Sequence, residues 1–234
     1  MNNKLTYLLI AAFIVAAVAY TSAFVVDETE QVVVTRFGRI IKDPITDPGL
    51  NFRLPFLDTV NKYPKNLLYW DGDPGQIPTL EKTYIWVDAF ARWRITDAVK
   101  FKQTVDTLFT AQQRLNEIID PAVRNAVTSY SLIETVRRSN RELDTYEVGI
   151  GEVDPEDKRV STTIMTGREQ IMLEILREAL PKLEKFGIEL VDVKIKRVNY
   201  VEEVRKSVYD RMIAERKQIA QKFRSEGRGE AQKI

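Results

Sequence analysis

The residues of this chain that could carry chemistry are carboxylates, serines with lysines, and arginines. Its 234 residues include no Cys and no His. That excludes a thiolate nucleophile, a Ser-His-Asp triad, a zinc finger and a haem held by His. Disulfides are impossible, so cysteine usage says nothing of the redox compartment. A Ser-Lys dyad survives, because it needs no imidazole. Yet Ser129, Ser131, Ser139 and Ser207 all read as helix ends, caps or exposed positions, and no P-loop or dinucleotide fingerprint occurs. The acidic residues Glu152, Asp154, Glu156 and Asp157 suggest Ca²⁺. They lack the Asp spacing and terminal bidentate Glu of an EF-hand loop, and read as a solvated loop. Arg92 and Arg94 share one face of a strand and could hold a carboxylate or phosphate. Asp or Glu on adjoining elements or on a neighbouring subunit are the simpler partners. No residue is assigned a catalytic, cofactor-binding or metal-ligand role. With 35 Lys plus Arg against 34 Asp plus Glu, the net charge of +1 also argues against a general nucleic-acid binder. Scaffolding ranks above catalysis.

The elements that would position any site begin with an apolar run. Leu5 to Val26 contains no charge. As a helix it would extend roughly 33 Å, close to the hydrocarbon thickness of a bilayer. Tyr7 and Tyr20 lie near its ends, where amphipathic rings favour the interface. Lys4 flanks one side, and Asp27, Glu28 and Glu30 the other. The positive-inside bias then places the N-terminus in the cytoplasm and the rest of the chain outside. The competing reading is a signal peptide cleaved at Ala17-Val18-Ala19. The apolar run continues past Ala19, which suits an anchor better.

After the anchor the pattern is β. Glu30 to Phe37 is rich in β-branched residues, and Gly38 permits a turn. Asp43 to Gly49 is a loop, Asn51 to Leu54 a short strand, and Thr59 to Trp70 a longer one with Pro64 at an edge or bulge. Lys82 to Ile95 alternates most clearly. Ile85, Val87, Ala89, Ala91, Trp93 and Ile95 share one apolar face. Helical patterns follow from Thr96 or Asp97, over Thr110 to Tyr130, and after two capping boxes, at Ser131 with Glu134 and Thr166 with Glu169. Gly187 suits a C-terminal cap. Ile188 to Val198 alternates again, with Val191, Val193 and Ile195 on one face. The soluble part is therefore α+β.

From Val201 to Ile234 the chain has no Pro and reads as one helix. Val201, Met212, Phe223 and Ile234 lie eleven apart, as do Val208 and Ile219, a period that favours straight or slightly right-handed packing. So long a helix, far above the average of about 11–12 residues, suits packing against a neighbouring subunit. Its run up to Ile234 without a stop signal predicts a longer chain.

The stretches VVVTRFGRI (Val32 to Ile40), PGLNFRLPFLDTV (Pro48 to Val60), VDAFARWRITD (Val87 to Asp97) and the segment from Gly187 to Gly227 together resemble the stomatin/prohibitin/flotillin (SPFH, band 7) superfamily. The short N-terminus and the YDRMIAER stretch point to its bacterial protease-regulator branch. The resemblance implies a transmembrane helix at 5–26 after a cytoplasmic 1–4. It implies an SPFH domain in two subdomains, 27–95 and 96–198, and a long coiled-coil-like assembly helix from 199. It further implies a hetero-oligomeric ring or cage in the bacterial cytoplasmic membrane, formed with an HflK-like sister subunit, that restrains the AAA+ protease FtsH. A stomatin-like organiser of membrane domains, acting with another partner, is the alternative.

Two surfaces stand out as candidates. Leu50, Phe52, Leu54, Phe56 and Leu57 crowd apolar groups around Pro55. Pro55, Phe56 and Leu57 fit either core packing or the outer-leaflet interface of the lipid bilayer. On the long helix, Val201, Val204, Val208, Met212, Ile219 and Phe223 are expected at an oligomer interface.

Overall fold

Alternating apolar residues set the strands and a wider apolar period sets the helices. The computed structural model describes residues 3–140 and 164–233, with side chains from residue 7 onward except residue 14. The acidic residues Glu152 to Asp157 lie outside the described residues. The elements are α1 (Asn3–Ser22), β1 (Ala23–Val26), β2 (Glu30–Arg36), β3 (Arg39–Ile40), β4 (Gly49–Phe52), β5 (Asp58–Pro64), β6 (Leu68–Asp71), β7 (Gly75–Pro78) and β8 (Tyr84–Ile95). They continue with α2 (Ala98–Thr104), α3 (Leu108–Ser129), α4 (Leu132–Val136), α5 (Gly167–Leu183), β9 (Ile188–Tyr200) and α6 (Glu202–Ala231).

The chain divides into two compact units. One comprises Met1–Gly72, Phe90–Ala122 and Leu173–Lys194; the other comprises Asp73–Ala89, Val123–Met172 and Ile195–Ile234. The division falls inside β8, α3, α5 and β9.

In the first unit, α1 stops at Ser22 rather than running on to Val26. The Thr21 and Ser22 hydroxyls donate to the carbonyls of Ala17 and Val18, which occupies the last turn. Residues 23–26 form β1 instead, antiparallel to β4 from Ala23↔Phe52 to Val26↔Gly49. Phe24, Val25 and Val26 are good strand formers, and β4 offers them a ladder. Among the described residues no helix is long and apolar enough to cross a membrane. A second sheet pairs β2 with β3 and β5. Val26 of β1 joins Val32 and Val34 of β2 in one buried cluster, covered by Phe24, Ile41, Ile45 and Val60. The expected strand from Thr59 to Trp70 is two strands, β5 and β6, broken after Pro64. Proline cannot donate to the ladder, and the Lys65 N–H turns to the Thr29 carbonyl.

The unit's packing also places Gly187. Its φ is +71°, and a Cβ there would meet the Asp97 carbonyl oxygen at 2.3 Å. Asp97 itself caps α2, accepting from the N–H groups of Val99 and Lys100. Tyr63 packs edge-on against Phe101, 5.1 Å between ring centres, and donates to the Asp106 carbonyl. Burial, with Asp106 nearby, pushes its hydroxyl up to about 12. On the solvent side of β8 and β9, Arg92 pairs with Asp192 and Arg94 with Glu189. Two guanidinium forks are thereby paired within their own unit.

In the second unit β7 pairs with residues 84–87 of β8. Ile77, Ile85, Val87, Val127, Ile171 and Ile195 are buried. All six residues of the apolar face expected on β8 are buried, each in its own unit. On β9 the alternation slips by one residue. Leu190 and Val193 in the first unit and Ile195 in the second are buried, and Val191 only half so. Neither capping box forms as expected. The Ser131 side chain makes no cap hydrogen bond. The Glu134 carboxylate instead accepts the N–H groups of Met165, Thr166 and Gly167, at 2.7, 3.0 and 2.5 Å, where α5 begins. Burial raises the Glu134 pKa, but the three N–H donors outweigh it and hold the carboxyl below its ordinary value. Glu169 pairs with Arg138. Asn140 donates to the Ile164 carbonyl and accepts its N–H.

Candidate functional site

Two exposed apolar surfaces emerge, one in each unit. In the first unit, β1 follows α1 directly and runs antiparallel to β4, so the end of β4 returns to the end of α1. The Arg53 N–H donates to the Ser22 carbonyl at 2.9 Å and fixes that return. The chain then closes a short loop. The Asp58 N–H donates to the Leu54 carbonyl, and the Leu54 N–H donates to the Asp58 carboxylate at 2.9 Å. Pro55, Phe56 and Leu57 form the tip between these two bonds.

Asp58 is held from the other side as well. It accepts from Arg36 Nε at 2.7 Å and from Arg36 Nη2. The side chain of Asp58 is 3% exposed. The Arg36 hydrogen bond, then the Leu54 N–H, keep the Asp58 carboxyl below its usual range, and Arg36 is raised in turn. The tip itself is bare. Phe56 is 96% exposed, with φ at +67°. A bulky residue in that region costs on the order of 1–3 kcal/mol, and such strain collects where function requires it. Leu57 is exposed and Pro55 partly so. These three residues are therefore surface groups within their unit, which removes the core-packing alternative for Phe56.

Phe37 was not legible as a site residue. It sits on the β2–β3 hairpin, 86% exposed, with φ at +49°. Four non-glycine residues among those described have positive φ, namely Phe37, Phe56, Lys82 and Asp106. The two aromatic ones belong to the first unit, beside partners of the same ion pair.

In the second unit the surface is α6. No described residue of it is buried. Val204, Val208 and Ile219 are partly exposed, and Met212 and Phe223 more so, at 50% and 41%. At about 100° per residue these five form one stripe, an arc of about 100°, and Tyr209, Ala220 and Ile213 widen it to about half the helix. Val201, expected in the same stripe, is buried in its own unit. It stands before the helix as its N-cap, and its N–H approaches the Tyr84 carbonyl. It therefore serves the junction of strand and helix rather than a free face. A groove of about 580 Å³ opens at this junction, lined by Trp86, Val198, Tyr200, Val208, Tyr209 and Met212. Arg205 at its rim is paired with Glu202. Among the described residues no cluster of acidic side chains could hold a metal ion.

Mixed helix and strand in both units define the class, and the chain belongs to the SPFH domain / Band 7 family, which matches residues 24–229. It is similar to Protein HflC of Treponema pallidum (strain Nichols), at 41% identity over 88% of this chain and 64% of the relative. It is 38% identical to Protein HflC of Borreliella burgdorferi, over 90% of this chain and 66% of the relative. It is 30% identical to the Modulator of FtsH protease HflC of Escherichia coli (strain K12), over 94% of this chain and 72% of that protein. The chain thus spans about two thirds of the length of the first two relatives. The name of the last relative describes a regulator of a protease.

Proposed function

We propose that this chain is a subunit of a membrane-anchored scaffold that modulates an FtsH-type AAA+ protease and has no catalytic step of its own. The observation that carries the reading is α6, a helix of 30 residues with an apolar stripe and no buried residue. A helix that buries nothing in its own unit needs another partner to cover its apolar face. Neighbouring subunits supply it, with Val204, Val208, Met212, Ile219 and Phe223 at the contact, and an HflK-like sister as the alternating partner. The likeness to a protein named as a modulator of FtsH protease supports the target.

The uncharged run Leu5 to Val26 as a whole attaches the subunit to the membrane, although no described helix alone is long and apolar enough to cross it, and β1 starts at the outer surface. Lys4 keeps the N-terminus in the cytoplasm. Pro55, Phe56 and Leu57 then rest in the outer-leaflet interface of the bacterial inner membrane, at the exit of the anchor. The test is purification from membranes in mild detergent. Co-elution of an FtsH-type protease and an HflK-like subunit is the expected result. A large assembly holding neither would instead favour a membrane organiser with another partner.

A further inference from the structure

Phe37 occupies a position that its own turn does not explain. Arg36 and Arg39 face each other across the β2–β3 hairpin, leaving Phe37 and Gly38 as its two central residues, both at positive φ. Turns of this kind ordinarily take Asn, Asp or Gly, because a bulky side chain crowds the backbone there. Packing does not explain the ring either, since it is almost wholly exposed. A strained and exposed aromatic group makes sense when something outside the folded chain receives it.

The register shows what it stands beside. Arg36 and Asp58 are the last facing pair of the β2–β5 ladder, and their side chains form the ion pair. Phe37 follows Arg36 directly, and Phe56 precedes Asp58 by two residues. Both aromatic tips therefore leave the same end of one sheet. That end is tied to Ser22, the last residue of α1, through the Arg53 N–H. Asp58 neutralises Arg36 there, and Arg39, Lys42 and Arg53 leave that end net positive. Arg36 to Lys42 carries three cations and no carboxylate, and Asn51 to Leu57 one cation and no carboxylate. Such a surface complements anionic lipid headgroups.

We propose that Phe37 is a second membrane-contact residue, entering the headgroup layer of an anionic bilayer together with Phe56, and that the Arg36–Asp58 pair positions the two tips at one level. This rests on the reading of Leu5 to Val26 as the membrane attachment and of residues 55–57 as interfacial, and extends it to a hairpin that the reading does not need.

The absence of Cys makes the test direct. Full-length chains with Phe37→Cys, Phe56→Cys or Glu28→Cys each take one environment-sensitive fluorophore. Glu28 precedes the far end of β2, roughly 20 Å away along the strand, and is the control. The chains are reconstituted in vesicles of phosphatidylcholine and phosphatidylglycerol containing a lipid spin-labelled near its headgroup. Quenching at positions 37 and 56, and not at 28, is expected. Asp58→Asn should lower quenching at 37 and 56 together, roughly twofold, through loss of the charge-assisted bonds. The charge-swapped pair Arg36→Asp with Asp58→Arg should restore it. Quenching at 56 with none at 37 overturns the second contact and leaves the interfacial loop standing. No quenching at either overturns both. A loss confined to position 56 in Asp58→Asn overturns the positioning role of the ion pair.

Discussion

The tips of the first unit and the stripe of α6 both expose apolar side chains, but they are built in opposite ways. The Phe56 loop is short, non-repeating and held by an ion pair, two backbone-closing hydrogen bonds and left-handed backbone. The α6 stripe has no left-handed backbone or loop closure, and its ion pairs, such as Arg205 with Glu202, run along the helix itself. Its side chains recur along one face at helical spacing, and only the helix orders them. A surface with no period suits a partner with no pattern to match, as a bilayer interface has none. A periodic stripe suits another helix, whose ridges and grooves repeat at the same interval. Exposed hydrophobicity alone does not separate these uses, whereas the kind of backbone that presents it does.

The sharpest way to break this contrast is at α6. Val208→Asp with Ile219→Asp should collapse the assembly to small species in size-exclusion chromatography in detergent. An unchanged elution volume would show that those positions face solvent. Next in size is the loop. In a chain beginning at Ala23, Phe56→Asp with Leu57→Asp should weaken lipid flotation roughly a hundredfold, about 3 kcal/mol of lost apolar burial. Assembly through α6 should survive that change, and unchanged flotation would reduce the loop to ordinary surface.

A smaller effect is expected where α6's own unit is stapled. Glu134→Gln should cost about 1 kcal/mol, read from the denaturant midpoint. Because the folded-state pKa of Glu134 is depressed, its contribution is present above the ordinary Glu value. It is lost as pH falls through the depressed one. The variant should therefore show a flatter acid-side stability profile. The smallest change is expected from Arg92→Ala, which removes an exposed pair with Asp192 and should move the thermal midpoint by about a degree or less. A larger drop would mean that this pair does more than solvate the sheet.

What could be read from the sequence followed from periodicity. The alternation over Lys82 to Ile95 placed all six inward residues of β8, and the long helix from Val201 became α6 within a residue at its start. Elements governed by distant partners were hidden. Local spacing suggested that Glu134 would cap its own helix, yet its carboxylate serves α5, some thirty residues on. The break after Pro64 depends on Thr29, and the burial of Val201 on its place beside β8. The site divides likewise. The apolar loop at Pro55 to Leu57 was visible as composition. Phe37 was not, because only the β2–β5 register places Arg36 opposite Asp58. The pattern Arg-Phe-Gly-Arg held one clue, an aromatic residue where a tight hairpin prefers Asn or Gly.

Asn140 and Glu134 have a consequence for engineering. Asn140 meets both backbone groups of Ile164, and Glu134 grips the next three N–H groups. Asn140 is thus soldered to Ile164, and Glu134 to the start of α5. An engineered chain should therefore spare Glu134 and Asn140, because losing either loosens a junction that no local sequence pattern supplies.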